Sequence, residues 1–335
     1  MPGFFFWMAE QREKRMSTAE FAPPNLADIW QAAERIAPFA HRTPVLRSRS
    51  IDAQIGAHLH FKCENFQRVG AFKFRGACNA VFALSDAQAA RGVATHSSGN
   101  HAAALALAAR LRGVPAHVVM PHNTVRVKID SVHRLGATIV FCEANQAART
   151  QTLAEVIETT GAIEVHPFAN PHVIAGQGTA TLELIREIGH LDAVIAPISG
   201  GGLLAGTAIA ARGLCPDVEI VGAEPSGADD AARSFASGVL QGNLMVDTIS
   251  DGLRADLGAP NFAILQAAQT RILTVTDAQT MAALRLIYER LKIVVEPSCA
   301  TVLAAIQQNP AQFRDKSVGV ILSGGNVDLD SLRWS

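Results

Sequence analysis

Apolar positions along the chain alternate between two periods. Ala57-His58-Leu59-His60-Phe61-Lys62-Cys63 repeats every second residue, the pattern of a strand. Residues 71–84 follow with helical spacing and close at Ser85-Asp86. Val93-Ala94-Thr95-His96 predicts a second strand, the alanine-rich run 101–111 a helix ending at Gly113, and Ala116-His117-Val118-Val119-Met120-Pro121 a third strand. A helix over 125–135, capped by Gly136, a strand at Thr138-Ile139-Val140-Phe141 and a helix over 153–160 repeat the unit. The rhythm resumes with a strand at 193–198, a helix over 203–214, a strand at 218–222 and a last strand at 318–322. Short apolar strands joined through helices call for right-handed crossovers and a mostly parallel sheet buried on both faces. The fold class is α/β.

With 335 residues the chain has room for roughly two domains. It carries no internal repeat and no low-complexity linker, so one unit is expected inside the other rather than after it. The boundaries expected are a large unit of 16–93 and 166–335 and a small inserted unit of 94–165. Residues 1–15 are set apart as an extension ahead of a start at Met16-Ser17. Gly3-Phe4-Phe5-Phe6-Trp7-Met8 is too short for a secretory core, and the charged run from Glu10 to Arg15 replaces a cleavage site.

Composition narrows the class further. At 49% apolar and 18% charged, the chain can bury a large core, which excludes a disordered tail. A net charge of −1 without a basic stripe argues against nucleic acid as a partner. Five scattered cysteines with no CxxC pair suit reduced thiols in the cytoplasm. The eleven histidines show no metal-binding spacing, and no apolar run approaches the eighteen residues of a membrane span.

Four segments carry candidate chemistry. Ser199-Gly200-Gly201-Gly202-Leu203-Leu204-Ala205-Gly206 lies between a strand and a helix, where bare backbone N–H groups and the helix terminus attract an anion. It also satisfies a relaxed dinucleotide fingerprint, with Glu224 about twenty residues on. Tight helix–strand packing is the plain alternative. Ser97-Ser98-Gly99-Asn100-His101 is either a helix cap or a carboxylate-binding turn at the ligand edge of a parallel sheet. Lys73 sits early in a helix between Phe72 and Phe74. Such a lysine normally reaches the surface, but a desolvated one has a depressed pKa and can form a Schiff base. Ser323-Gly324-Gly325-Asn326 is a glycine turn after the last strand. A further loop, Glu224-Pro225-Ser226-Gly227-Ala228-Asp229-Asp230, offers carboxylate oxygens to a hard cation, or is a solvated acidic turn.

Jointly, these segments resemble the fold type II (tryptophan synthase β-like) pyridoxal-phosphate enzymes. Within them the chain is most similar to the serine/threonine dehydratases, in the branch of serine racemase and threo-3-hydroxyaspartate dehydratase. The resemblance covers residues 36–328 and displaces the dinucleotide reading, since a nicotinamide site has no use for Lys73 or Ser323. It implies two parallel-sheet α/β domains, the small one inserted in the large one. It further implies Lys73 as the Schiff-base lysine and catalytic base, Ser199, Gly200, Gly201, Gly202 and Leu203 around the cofactor phosphate, Asn100 on the ring hydroxyl and Ser323 facing the pyridine nitrogen. Ser97, Ser98, Gly99 and His101 would surround the substrate carboxylate. The activity implied is β-elimination from a 3-hydroxy amino acid (3-hydroxyaspartate, serine or threonine) to a 2-oxo acid and ammonia. Racemisation between Lys73 and Ser98 is the alternative. A divalent ion, Mg²⁺ ahead of Mn²⁺ or Ca²⁺, would be held by Glu224, the Ala228 carbonyl and Asp230, and the enzyme would be a homodimer. Arg254 is either the partner of a second substrate carboxylate or a surface residue. Two positions depart from the family pattern. Ala71 replaces the usual serine, and Cys299 replaces a common glycine, which is expected to crowd the cofactor.

Overall fold

Ten strands form two sheets in the computed structural model, which describes residues 21–332. The extension expected at 1–15 lies outside them. The strands are β1 (Val45–Leu46), β2 (His58–Cys63), β3 (Val93–His96), β4 (Ala116–Pro121), β5 (Thr138–Cys142), β6 (Ile163–Glu164), β7 (Ala193–Pro197), β8 (Glu219–Pro225), β9 (Arg271–Val275) and β10 (Ser317–Leu322). One sheet runs β1-β2-β10-β7-β8-β9 and the other β5-β4-β3-β6. Every pairing is parallel except the short β1 edge, as the strand–helix rhythm requires. The four-stranded sheet is built wholly from residues between β2 and β7 in sequence. Its core reaches beyond those residues, because Phe74, Ala77, Cys78 and Val81 of the helix Lys73–Ala83 pack into the same cluster as Leu105, Val118 and Met120.

Most of the patterned elements form where their periodicity places them, and β3 and β4 match residue for residue. The helix Gln146–Thr160 starts seven residues before its apolar period begins. Asn145 caps it by accepting from the Ala148 N–H, and its polar first turns leave no periodic trace. The helix Pro171–Ile188 has no sequence signature of that kind either. It is buried along most of its length, so it lacks the polar face that would reveal a helical period. A Cβ on its Gly176 would stand 2.6 Å from the Gly76 Cα, and one on Gly206 would stand 2.6 Å from the Gly178 nitrogen. Backbone-to-backbone packing therefore draws the helices Lys73–Ala83 and Gly202–Leu214 onto this central helix, which brings their N-terminal ends to one place.

Beneath that place lies a buried ionic cluster. Arg75 is fully buried and donates from Nε to Glu64 Oε2 (2.7 Å) and from Nη1 to Glu183 Oε1 (2.7 Å). Lys62, also fully buried, donates to Glu183 Oε2 and to the Thr43 carbonyl, each at 2.7 Å. Two cations meet two carboxylates with every charge hydrogen-bonded, the condition under which such a group survives in a core.

Candidate active site

Lys73 opens its helix two residues from Arg75, and the packing that buries Arg75 also holds the Lys73 amine inside. Its Nζ donates to the Pro167 carbonyl (2.9 Å) and lies 5.2 Å from the centre of the Phe72 ring. Burial pulls its pKa down to about 8, against the pull of nearby Glu296 in the other direction. The residue after Pro167 links the lysine to the glycine loop, since the Phe168 ring lies directly over Gly200 and the Phe168 backbone lies beside Gly202.

The loop itself presents backbone. Gly201 has φ +88°, and no side chain caps the helix Gly202–Leu214, so its first N–H groups have no acceptor among the described residues. The Gly200 carbonyl accepts from Asn261 Nδ2 (2.5 Å) and the Gly258 N–H (3.2 Å), which turns it away from the open N–H side. The Ser199 hydroxyl is engaged by Ala255, donating to its carbonyl (2.8 Å) and accepting from its N–H (3.0 Å). A third segment closes on the first: the Ser323 carbonyl accepts from the Phe72 N–H (2.9 Å), Gly324 bridges to Ala71, and the Gly325 N–H donates to Gly70 (2.9 Å). The fourth joins through Asn100, whose Nδ2 is 3.2 Å from both Glu296 oxygens and whose Oδ1 accepts from Asn326 Nδ2 (2.9 Å). All four segments converge around the half-buried Lys73.

A family model of pyridoxal-phosphate dependent enzymes matches residues 36–324. The chain belongs to this family. It is similar to the β-hydroxyaspartate dehydratase of Paracoccus denitrificans, 48% identical with 93% of this chain and 99% of that one covered. It is equally similar to the serine racemase of Oryza sativa subsp. indica, 48% identical over 92% of each chain. Its structure matches that of maize serine racemase with a TM-score of 0.90 and 46% identity, covering 92% of this chain and 96% of that one. The arrangement of helices and parallel sheets is that of the fold type II pyridoxal-phosphate enzymes.

The residues present fit that cofactor. Uncapped helix N–H groups suit its phosphate, the enclosed Lys73 amine suits its aldehyde carbon, and the buried Ser323 offers a neutral partner to its ring. On the substrate side, Ser97 accepts from the Gly99 N–H (3.3 Å), while the Ser98 hydroxyl makes no hydrogen bond among the described residues. No heavy atom stands within 4 Å of where a Cβ on Gly99 would sit. His101 is buried, with Nε2 3.0 Å from the Val165 carbonyl and Nδ1 without a partner. Burial, and then Lys73, pull its pKa down to about 3, so it is neutral.

The sequence motifs leave out a row of basic groups beside the lysine. The rings of His96 and His166 are 5.8 Å apart, and His166 packs edge-on to Phe168 (4.5 Å). Burial, His96 and Lys73 together hold His166 near pKa 3. Beyond His96 comes Arg149, whose side chain makes no hydrogen bond or salt bridge among the described residues and whose Nε is buried. His96 and His166 were legible only as neighbours of Ser97 and Pro167. Arg149 sits in the polar helix start that left no pattern. Arg254, by contrast, is exposed and donates to the Thr248 carbonyl (2.6 Å), with no bond or ion pair to this row. The Cys299 thiol lies against the backbone of Ser323 and Gly324, directly behind the glycine turn. It is buried in the core cluster beside Cys63, and burial pushes its thiol pKa well up.

The acidic loop is ordered and inward-facing. Glu224 is fully buried and accepts from the Ala231 and Ala232 N–H groups (3.0 and 2.8 Å), and burial raises its pKa to about 8. Asp230 accepts from Asn243 Nδ2 (2.9 Å) and the Leu257 N–H (2.7 Å), and burial raises its pKa too. Ala228 is buried between them. Neither carboxylate has a side-chain cation bonded to it, and no group of three His, Cys, Asp or Glu converges as metal ligands among the described residues.

Proposed function

We propose that this enzyme is a hydroxy-amino-acid dehydratase, an ammonia-lyase that converts a 3-hydroxy amino acid to a 2-oxo acid and ammonia. The carrying observation is the enclosed Lys73 amine, held between the glycine loop and the Ser323 turn with a pKa near 8. Pyridoxal phosphate supplies an electron sink for the Cα carbanion. Lys73 removes the Cα proton, and its depressed pKa makes the free amine available near neutral pH. The backbone from Ser199 to Leu203 holds the phosphate, and Ser97, Ser98, Gly99 and His101 receive the substrate carboxylate. Ser323 is uncharged and does not hold the pyridine nitrogen protonated as a carboxylate would, which favours loss of a β-substituent over transamination. The unpartnered Ser98 hydroxyl supports racemisation as a second reading, with Ser98 as the acid–base group paired with Lys73.

Among the substrates, 3-hydroxyaspartate fits best. Two imidazoles kept uncharged by burial, His166 and His96, run outward from Lys73, and the Arg149 guanidinium at the end of the row has no carboxylate bonded to it. A charge-assisted hydrogen bond of this kind contributes about 1.5–3 kcal/mol. Arg149→Ala should therefore lower kcat/KM for 3-hydroxyaspartate roughly 10- to 100-fold, leave serine turnover nearly unchanged, and contrast with a silent Arg254→Ala. A panel of L- and D-serine, L-threonine and threo- and erythro-3-hydroxyaspartate, assayed for ammonia, 2-oxo acid and inversion, decides the reaction. Inversion without ammonia would overturn the dehydratase reading.

We also propose that Glu224, the Ala228 carbonyl and Asp230 bind Mg²⁺, with Mn²⁺ or Ca²⁺ as substitutes. Two buried carboxylates without a bonded cation support it. Asp230 holds the Leu257 N–H, and neighbouring Gly258 holds Gly200, so the ion would brace the phosphate loop. EDTA should lower the melting temperature and activity, Mg²⁺ should restore both by mass action, and Asp230→Ala should abolish the response. Homodimerisation, a cytoplasmic location and a small domain spanning 94–165 complete the proposal. Five unpaired, buried cysteines support a reducing compartment.

A further inference from the structure

Glu296 belongs to none of the motifs that converge on Lys73, yet it bonds to two of them and acts electrostatically on the lysine itself. It is 4% exposed at the start of the helix Pro297–Gln308, and its backbone N–H donates to the Gly324 carbonyl (3.0 Å). Its carboxylate faces the Asn100 amide, with Nδ2 3.2 Å from each oxygen. A Cβ on Gly324 would stand 3.1 Å from Glu296 Oε1, so the glycine turn is shaped around this carboxylate. Its charged surroundings are Lys73 from the helix Lys73–Ala83, Asp251 from the loop after Ser250, and Lys128 from the helix Arg126–Arg134. Lys128 and Asp251 pair with each other at 2.7 Å, and no ion pair reaches Glu296 itself. Its hydrogen-bonded side-chain partner is Asn100.

A primary amide has one acceptor oxygen and two N–H donors. In Asn100 the oxygen is taken by Asn326, itself tied to the Val69 carbonyl (2.7 Å), and one donor is taken by Glu296. One N–H remains. We propose that Glu296 is a positioning residue: with Asn326 it fixes both ends of the Asn100 amide, so that the remaining N–H is held toward the cofactor beside Lys73. Without Glu296 the amide can turn about its side-chain torsion, which is broad for asparagine, and the donor is no longer held. The same bond ties the first turn of a helix on the four-stranded sheet to the six-stranded sheet, so it also holds the two cofactor walls at a set distance.

This inference rests on the cofactor reading above, and a double-mutant cycle on the cofactor-loaded enzyme separates the two. Glu296→Ala should shift the visible absorption band of the bound cofactor and lower kcat more than tenfold with a smaller change in KM. Glu296→Gln keeps the shape and an acceptor oxygen, and should restore the band and most of kcat. In an Asn100→Ala background, Glu296→Ala should change neither, because contacting residues that act through one another are non-additive. Additive losses, or a band unmoved by Glu296→Ala, would overturn the positioning role while leaving the cofactor reading intact. Failure of the unmodified protein to bind cofactor at Lys73 would overturn both.

Discussion

Lys73→Ala will lose ammonia release by at least about 10³-fold, at the upper end of what a positioned base supplies alone, because in the proposed function the residue also holds the cofactor. The unmodified enzyme will be yellow, borohydride will bleach it while fixing the cofactor covalently to Lys73, and the variant will show neither the colour nor the fixed adduct. Lys73→Arg will not rescue it, since a guanidinium stays protonated and can be neither nucleophile nor base. The pH dependence follows from burial. An ordinary lysine near 10.5 has almost no free amine at pH 8, whereas an amine with a pKa of about 8 is half free there. Only the free amine attacks an aldehyde, so cofactor uptake by the apo-protein should rise with pH to about 8 and then level. A rate still climbing steeply between pH 9 and 10.5 would show that the amine is not desolvated. Circular dichroism should find Lys73→Ala folded, because the amine's single bond is to a carbonyl and no carboxylate is orphaned by its loss.

The largest loss of stability is expected at Arg75→Met. The substitution is close in volume but leaves Glu64, fully buried, and most of Glu183 without their strongest partner. Breaking one side of a buried ion pair costs about 3–5 kcal/mol, which for a chain of this size lowers the melting temperature by on the order of 10 °C. The cost comes from uncompensated charge rather than lost packing. Arg75→Met combined with Glu64→Gln should therefore be more stable than Arg75→Met alone. A double variant as unstable as the sum of the single ones would locate the effect in packing instead. Because Arg75 lies two residues from Lys73, cofactor affinity should fall along with stability.

Several features were legible in the chain because their information is local. A period of two between helical runs records which faces are buried, and β3 and β4 follow it residue for residue. A positive-φ glycine before an uncapped helix specifies an anion cradle from a few adjacent residues, as Gly201 does. Four such segments, each ambiguous alone, identified the site together. Glu64 and Arg75 stand in the sequence on either side of Lys73, but as charges that a surface would accommodate equally well. The helix Pro171–Ile188 escaped notice because burial on nearly all sides removes the amphipathic contrast on which periodicity depends.

What the chain by itself determined was therefore the parallel α/β architecture, the cofactor class and the lysine proposed to bear it. Tertiary structure alone decided which charges are buried and which polar groups meet. Lys62 finds Glu183 across 121 residues and Asn100 finds Glu296 across 196, while Arg149 rather than Arg254 ends the basic row beside Lys73. The physical reason is that a hydrophobic period or a helix terminus is a property of neighbours in sequence. The desolvation that lowers the pKa of Lys73, and the pairing that makes a buried charge tolerable, depend on elements brought together only when the sheets and helices pack.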